Sequence, residues 1–167
     1  MSSYAERWIP ASLASPVSQI STTYLESSSA RERSRRVRKA LTLERKPRVL
    51  VVDDEIHIRA TLAAILNQEG FEARAVAGGG EAIAKAREWQ PDLVLSDVIM
   101  PDMDGVTASI RILQFLPNCR IVLLSGHGMV HDLMRGARER GYEFDVLLKP
   151  MHPTELIEHL RTLLRHG

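Results

Sequence analysis

The chain has 167 residues, 44% of them hydrophobic and 26% charged, with a net charge of +1 and a single cysteine. That composition suits one globular domain with some length to spare. One cysteine excludes an internal disulfide framework and fits a reducing compartment, and no run approaches the ~18 apolar residues that a membrane span requires. The small net charge hides an asymmetry: residues 1–47 carry nine Lys/Arg against four acids, and residues 48–167 carry thirteen against seventeen. A basic head precedes an acidic body.

Residues 1–30 are rich in Ser, Thr, Ala and Pro and keep no period of 2 or 3.6, so they read as disordered or loosely attached. They lack the basic start and apolar core of a secretory signal, and Glu6, Glu26 and Glu32 argue against a transit peptide; the cytoplasm is the expected location. Residues 31–46, from Arg31-Glu32-Arg33 through Lys46, form a basic run with the makings of a short helix. Its alternatives are a solvated linker, the blander reading, and a grip on nucleic acid or an anionic surface. The division expected is an N-terminal extension over 1–46 and a folded domain over 47–167.

From Arg48 the pattern changes. Val49-Leu50-Val51-Val52 is a continuous β-branched run, as a strand buried on both faces requires, and it stops at Asp53-Asp54-Glu55. Ile58, Leu62, Ile65 and Leu66 then recur at helical spacing up to Gly70. A second strand spans 71–77, and Gly78-Gly79-Gly80 opens a helix running to about Trp89. Those glycines match neither a P-loop nor a dinucleotide fingerprint, so no phosphate-cradling role is expected of them.

The third strand, Leu93 to Ser96, runs into Asp97 and breaks at once at Pro101, Asp102, Asp104 and Gly105, with Asp102 and Asp104 read as turn residues. Val106, Ile110 and Leu113 mark a third helix that ends before Pro117. Cys119 has apolar neighbours and reads as a buried structural thiol. The fourth strand, 121–124, ends at Ser125-Gly126, and a helix follows with Val130, Leu133, Met134 and Ala137 inward; Gly136 makes it the least secure. A fifth strand over 144–148 ends at Lys149-Pro150, and Pro153 to Leu164 describe a closing helix.

Five strands alternating with five helices predict an α/β, three-layer, doubly wound parallel sheet of order 2-1-3-4-5. Right-handed crossovers put every strand's carboxyl end on one edge. Asp53, Asp54, Asp97, Ser125 and Lys149 all fall there. Three clustered carboxylates repel by about 4 kcal/mol per pair at 4 Å and an effective dielectric near 20. A hard divalent cation, Mg²⁺ or Mn²⁺, relieves that repulsion. With the Lys149 ammonium and the Ser125 hydroxyl opposite, the set suits a transferring phosphoryl group, and Asp97 is placed to accept it as an acyl phosphate.

The runs Val51-Val52-Asp53-Asp54-Glu55, Ser96-Asp97-Val98-Ile99-Met100-Pro101 with Asp104-Gly105, Leu124-Ser125-Gly126 and Leu148-Lys149-Pro150 together resemble the receiver domain of two-component response regulators, over about residues 47–167. The resemblance implies that Asp97 is the phosphoacceptor for a histidine kinase or phosphotransfer protein. It implies Mg²⁺ on Asp54, Asp97 and the backbone carbonyl of Ile99, with Asp53 acting through a metal-bound water. Lys149 would pair with the phosphoryl oxygens, Ser125 would swing toward them, and Lys149-Pro150 would be cis. The family's usual aromatic three residues before the lysine is Val146 here, so the usual reporter of phosphorylation is missing. His127, two residues past Ser125, is a candidate influence at the site's mouth. Two rivals stand beside this reading: an aspartyl-phosphate, Mg²⁺-dependent phosphohydrolase, which would want an acid where Ile99 stands, and a nucleic-acid or anionic-surface binder through 31–46. The closing helix reaches the end of the sequence, so no attached output domain is expected, and signal would leave through the surface around the fourth helix, fifth strand and fifth helix to an unidentified downstream protein.

Overall fold

The structure is a computed structural model that describes residues 45–126 and 130–165. The basic run at 31–46 therefore lies outside the described residues except for its last two positions, as does His127. In chain order the elements are β1 (Arg48–Val52), α1 (Ile56–Gln68), β2 (Glu72–Val76), α2 (Gly79–Trp89), β3 (Leu93–Asp97), α3 (Gly105–Phe115), β4 (Arg120–Ser125), α4 (Val130–Glu139), β5 (Asp145–Leu148) and α5 (Pro153–Arg165). All pairings are parallel and the sheet order is β2-β1-β3-β4-β5, as the alternation predicts.

The central strands bury both faces, which is why they read as unbroken apolar runs. On one face Leu50, Val52, Val94, Ile121 and Leu123 pack with Ala82, Ala86 and Trp89 of α2, Val106 and Ile110 of α3, and Met134 and Ala137 of α4. On the other, Val49, Val51, Leu93, Leu95, Val122 and Leu124 pack with Leu66 of α1 and Leu156, Ile157 and Leu160 of α5. Each fully buried Val, Leu or Ile among them contributes about 1.5–3 kcal/mol. The two cores, one above and one below the sheet, make the three layers.

Local chemistry sets the ends. Gly70, at φ 92°, takes the left-handed conformation just past α1, where a side chain would be strained. Asp104 caps α3: its Oδ1 accepts from the Thr107 amide and its Oδ2 from the Thr107 hydroxyl, both at 2.7 Å. Strand β5 begins at Asp145, one residue later than the sequence suggests, because its pairing with β4 starts at Val122↔Asp145; Phe144, just before it, stacks on Tyr142 (centroids 6.2 Å apart, planes 10° apart). Cys119 is buried, and desolvation, followed by the charge of Asp92, pushes its thiol pKa up to about 12. It is a structural thiol.

Candidate functional site

Strand register decides which residues meet at the carboxyl edge. Val52 pairs with Ser96, Asp97 with Leu124, and Ser125 with Leu148. The first residues beyond those pairs are Asp53 and Lys149, so both flank Asp97. Three backbone bonds prolong the ladder past the last regular pairs and hold these residues: Asp53 N–H to Val76 O (3.3 Å), Val98 N–H to Leu124 O (3.0 Å) and Lys149 N–H to Ser125 O (2.7 Å). The Lys149–Pro150 peptide is cis.

At the centre is a three-membered ion cluster. Lys149 Nζ lies 3.0 Å from Asp53 Oδ2 and 3.0 Å from Asp97 Oδ1. The Asp53 side chain is 2% exposed, and its other oxygen accepts from the Glu55 amide at 2.9 Å. A buried carboxylate with both oxygens satisfied avoids the large cost of an unpaired charge. Burial is the largest influence on Lys149 and favours its neutral form, but hydrogen bonds and charge from Asp97 and Asp53 outweigh it and hold the ammonium above the ordinary lysine value.

The remaining predicted site residues are less closely gathered. Asp54 is exposed at the end of β1, and its carbonyl accepts from the Arg59 guanidinium at 2.9 Å. Ser125 is buried at the end of β4, with its hydroxyl donating to the Gly126 carbonyl at 2.7 Å, so it is turned to its own loop. Ile99 is 55% exposed on the loop after Asp97. Val146 is half-buried and packs against the core, as Phe144 and Tyr142 also do. Among the described residues, no three His, Cys, Asp or Glu side chains stand together as a ready metal cage; Lys149 sits between the two closest carboxylates. The donor chemistry still fits a hard cation: three acids on one edge against one ammonium leave negative charge, and every donor is oxygen.

Sequence reasoning missed three supporting contacts. A Cβ on Gly105 would collide with the Asp97 carbonyl and lie 2.8 Å from Ser96 Oγ, so only glycine lets α3 start against the end of β3. Arg59 reaches back across one helical turn to the Asp54 carbonyl. Asp102, read as a turn residue, extends its carboxylate to the N-terminus of α2, with Gly80 N–H donating to Oδ2 at 3.3 Å. None of the three carries a local signal, whereas Asp104, also read as a turn residue, stands where an N-cap does, just before the apolar stripe of α3.

An acid and lysine cluster at the carboxyl edge of a 2-1-3-4-5 parallel sheet is the arrangement that the comparisons with known proteins address. The response regulator receiver domain family matches residues 49–161, and the chain belongs to that family. Its members are signalling modules that interact with histidine kinases or phosphotransfer proteins. The chain is 34% identical over 118 residues to the chemotaxis protein CheY of Thermotoga maritima, covering 68% of this chain and 93% of that protein. It is 35% identical over 122 residues to the DNA-binding response regulator MtrA of Mycobacterium tuberculosis, covering 73% of this chain and 52% of that protein. The chain thus spans about half the length of the MtrA proteins it matches. Among solved structures, Vibrio cholerae chemotaxis protein CheY4 superposes with a TM-score of 0.61 at 30% identity, covering 70% of this chain and 98% of that one. A CheY-like receiver domain protein of Methanospirillum hungatei superposes at 0.67 and 26% identity, covering 72% and 95%. No helix among the described residues is long and apolar enough to cross a membrane.

Proposed function

We propose that this receiver, working in the cytoplasm, takes a phosphoryl group on Asp97 from the phosphohistidine of a histidine kinase or phosphotransfer protein. The observation that carries the reading is the single ammonium of Lys149 bonded at once to Asp97 and to the buried Asp53. A carboxylate held that way is aimed, desolvated on one side, and accompanied by a cation that follows the charge when it moves onto phosphate oxygens.

An Asp97 carboxylate oxygen attacks phosphorus. The new P–O bond forms as the P–N bond breaks, and the donor imidazole leaves with the electron pair and takes a proton from solvent. Lys149 stays with the negative charge and pairs with a phosphoryl oxygen. Ser125 rotates off the Gly126 carbonyl and donates to another. Asp54 and Asp97, with the Ile99 carbonyl, would hold Mg²⁺ (Mn²⁺ would substitute), and Asp53 would act through a water. When bound, the ion neutralises the oxygens of the transferring group. The adduct adds about −1.5 to −2 charge at the sheet edge. The response then passes to the surface around α4, β5 and α5, where Val146 is too short to act as an aromatic reporter.

Against the phosphohydrolase rival stands Ile99, which offers no general acid at the position such enzymes use. Exposure to acetyl phosphate and Mg²⁺ separates the two. A receiver accumulates one adduct, whereas steady multiple turnover of unrelated phosphate esters would replace this reading with the hydrolase. The nucleic-acid reading rests on 31–46 alone and predicts salt-dependent DNA binding that disappears when residues 1–47 are deleted.

A further inference from the structure

The loop at 98–104 joins Asp97 to α3 and carries the Ile99 carbonyl. Its ends are fixed. Val98 N–H bonds to Leu124 O at 3.0 Å, Gly105 N–H bonds back to Val98 O at 2.8 Å, and Asp104 caps α3. Its middle is exposed at Ile99, Pro101 and Asp102. From that middle, the Asp102 carboxylate crosses to α2, 22 positions away in sequence, and accepts from Gly80 N–H at 3.3 Å.

The receiving surface is shaped for it. Gly78 is the N-cap of α2 and has no side chain with which to cap it, while Glu81 of the first turn reaches back to accept from the Ala77 amide at 3.0 Å. A Cβ on Gly78 would lie 2.7 Å from Asp102 Oδ1 and 2.9 Å from Oδ2, and a Cβ on Gly79 would lie 2.9 Å from Met103 Cβ. The glycine triplet thus leaves a seat for the carboxylate and for the next residue of the loop. Gly78 is extended (φ −166°), so any residue fits its backbone; the need for glycine is space alone. A carboxylate meets unpaired amides and a favourable dipole at a helix N-terminus. The Gly80 amide accordingly holds the Asp102 carboxyl below the ordinary carboxylate range.

We propose that Asp102 is a positioning residue: seated on the glycine-lined N-terminus of α2, it fixes the loop after Asp97 and so sets the affinity of the site for its divalent cation. The second half of that statement rests on the function proposed above; the first does not. It assigns the Gly78-Gly79-Gly80 run a purpose other than phosphate cradling, since its anion belongs to the chain itself.

The test compares the full chain with Asp102→Ala, Asp102→Asn and Gly78→Ala. In metal-free buffer, residue-resolved hydrogen exchange is read at the Gly80, Val98 and Gly105 amides, and Mg²⁺ half-saturation of adduct formation is then measured with acetyl phosphate. Asp102→Ala and Gly78→Ala are expected to speed exchange at Gly105 and to raise the Mg²⁺ half-saturation, each by about two- to five-fold, the worth of one charge at a helix terminus. Asp102→Asn, which keeps an acceptor, recovers part of both, and the Gly78→Ala/Asp102→Ala pair is no worse than either single variant. Faster exchange confined to Gly80 would overturn the proposal, because Asp102 would then be a helix cap only. Loosened loop amides with an unmoved Mg²⁺ half-saturation would overturn it as well. A native chain that forms no Mg²⁺-dependent adduct would refute the function reading instead, and the exchange data alone would then decide whether Asp102 holds the loop.

Discussion

Lys149 and Asp53 are 96 positions apart in sequence, yet Lys149 Nζ lies 3.0 Å from Asp53 Oδ2, and Asp97 shares the same ammonium. Removing the ammonium leaves Asp53, almost wholly buried, beside a second carboxylate with no counter-charge. Lys149→Met should therefore lower unfolding free energy in EDTA by about 1–3 kcal/mol, the range for a hydrogen bond to a charged group. Urea denaturation at low ionic strength measures it. Because the Lys149 pKa is raised on folding, its stabilisation is complete below the ordinary lysine value near 10.4 and is lost as pH rises through the higher folded value. The native and Lys149→Met chains should thus differ by a constant amount from pH 7 to 10 and converge only above it.

Asp53 and Asp54 are neighbours with different environments, and neutral variants should separate them. Asp54 is exposed, so Asp54→Asn should leave stability within about 0.5 kcal/mol of native. On the proposed metal site it should nonetheless weaken Mg²⁺ binding, by about ten- to a hundredfold. Asp53→Asn should cost stability even without metal, because Lys149 and the Glu55 amide both lose their charged partner. Thermal unfolding with and without Mg²⁺ checks both; equal loss of stability in EDTA would contradict this assignment.

Gly105→Ala places a methyl group against the Asp97 carbonyl and Ser96 Oγ. Backbone cannot yield as a flexible side chain would, so the substitution should cost about 1–3 kcal/mol. It should also disturb the amide resonances of Asp97 and Val98, which a heteronuclear NMR spectrum reads directly. An alanine variant as stable as the native chain would mean that α3 does not need its close approach to β3.

Cys119 gives a second pH signature. Its folded pKa of about 12 lies above the free thiol value near 8.5. The buried neutral thiol therefore stabilises fully below pH 8.5, and that contribution falls by about 1.4 kcal/mol per pH unit as the pH rises from there toward 12. Between pH 9 and 10, where Lys149 is still charged, Cys119→Ala should remove this slope. The native thiol should also resist thiol reagents at pH 8 until the chain unfolds.

Much of this was legible because parallel sheets advertise themselves. Val49 to Val52, Leu93 to Leu95 and Ile121 to Leu124 are apolar on both faces, and the polar residue ending each run had to sit on one edge. What the residue string could not convey was contact across the edge. That one ammonium serves both Asp53 and Asp97 depends on side-chain reach, and that the Ser125 hydroxyl turns to Gly126 depends on a rotamer. The Asp102 contact joins loops 22 positions apart, with no periodic pattern to announce it. The shorter β5 follows from its register, which starts at Val122↔Asp145, and register with a neighbouring strand is not written in the apolar pattern of 144–148 alone.

Asp97 is the residue on which the proposed phosphoryl transfer depends most directly. Intact-mass spectrometry of the native chain and of Asp97→Ala, after exposure to acetyl phosphate with Mg²⁺ and with EDTA, is the deciding measurement. One phosphoryl adduct is expected on the native chain with Mg²⁺, mapped to Asp97, with very little in EDTA and none on Asp97→Ala. Equal phosphorylation of the two chains would contradict it.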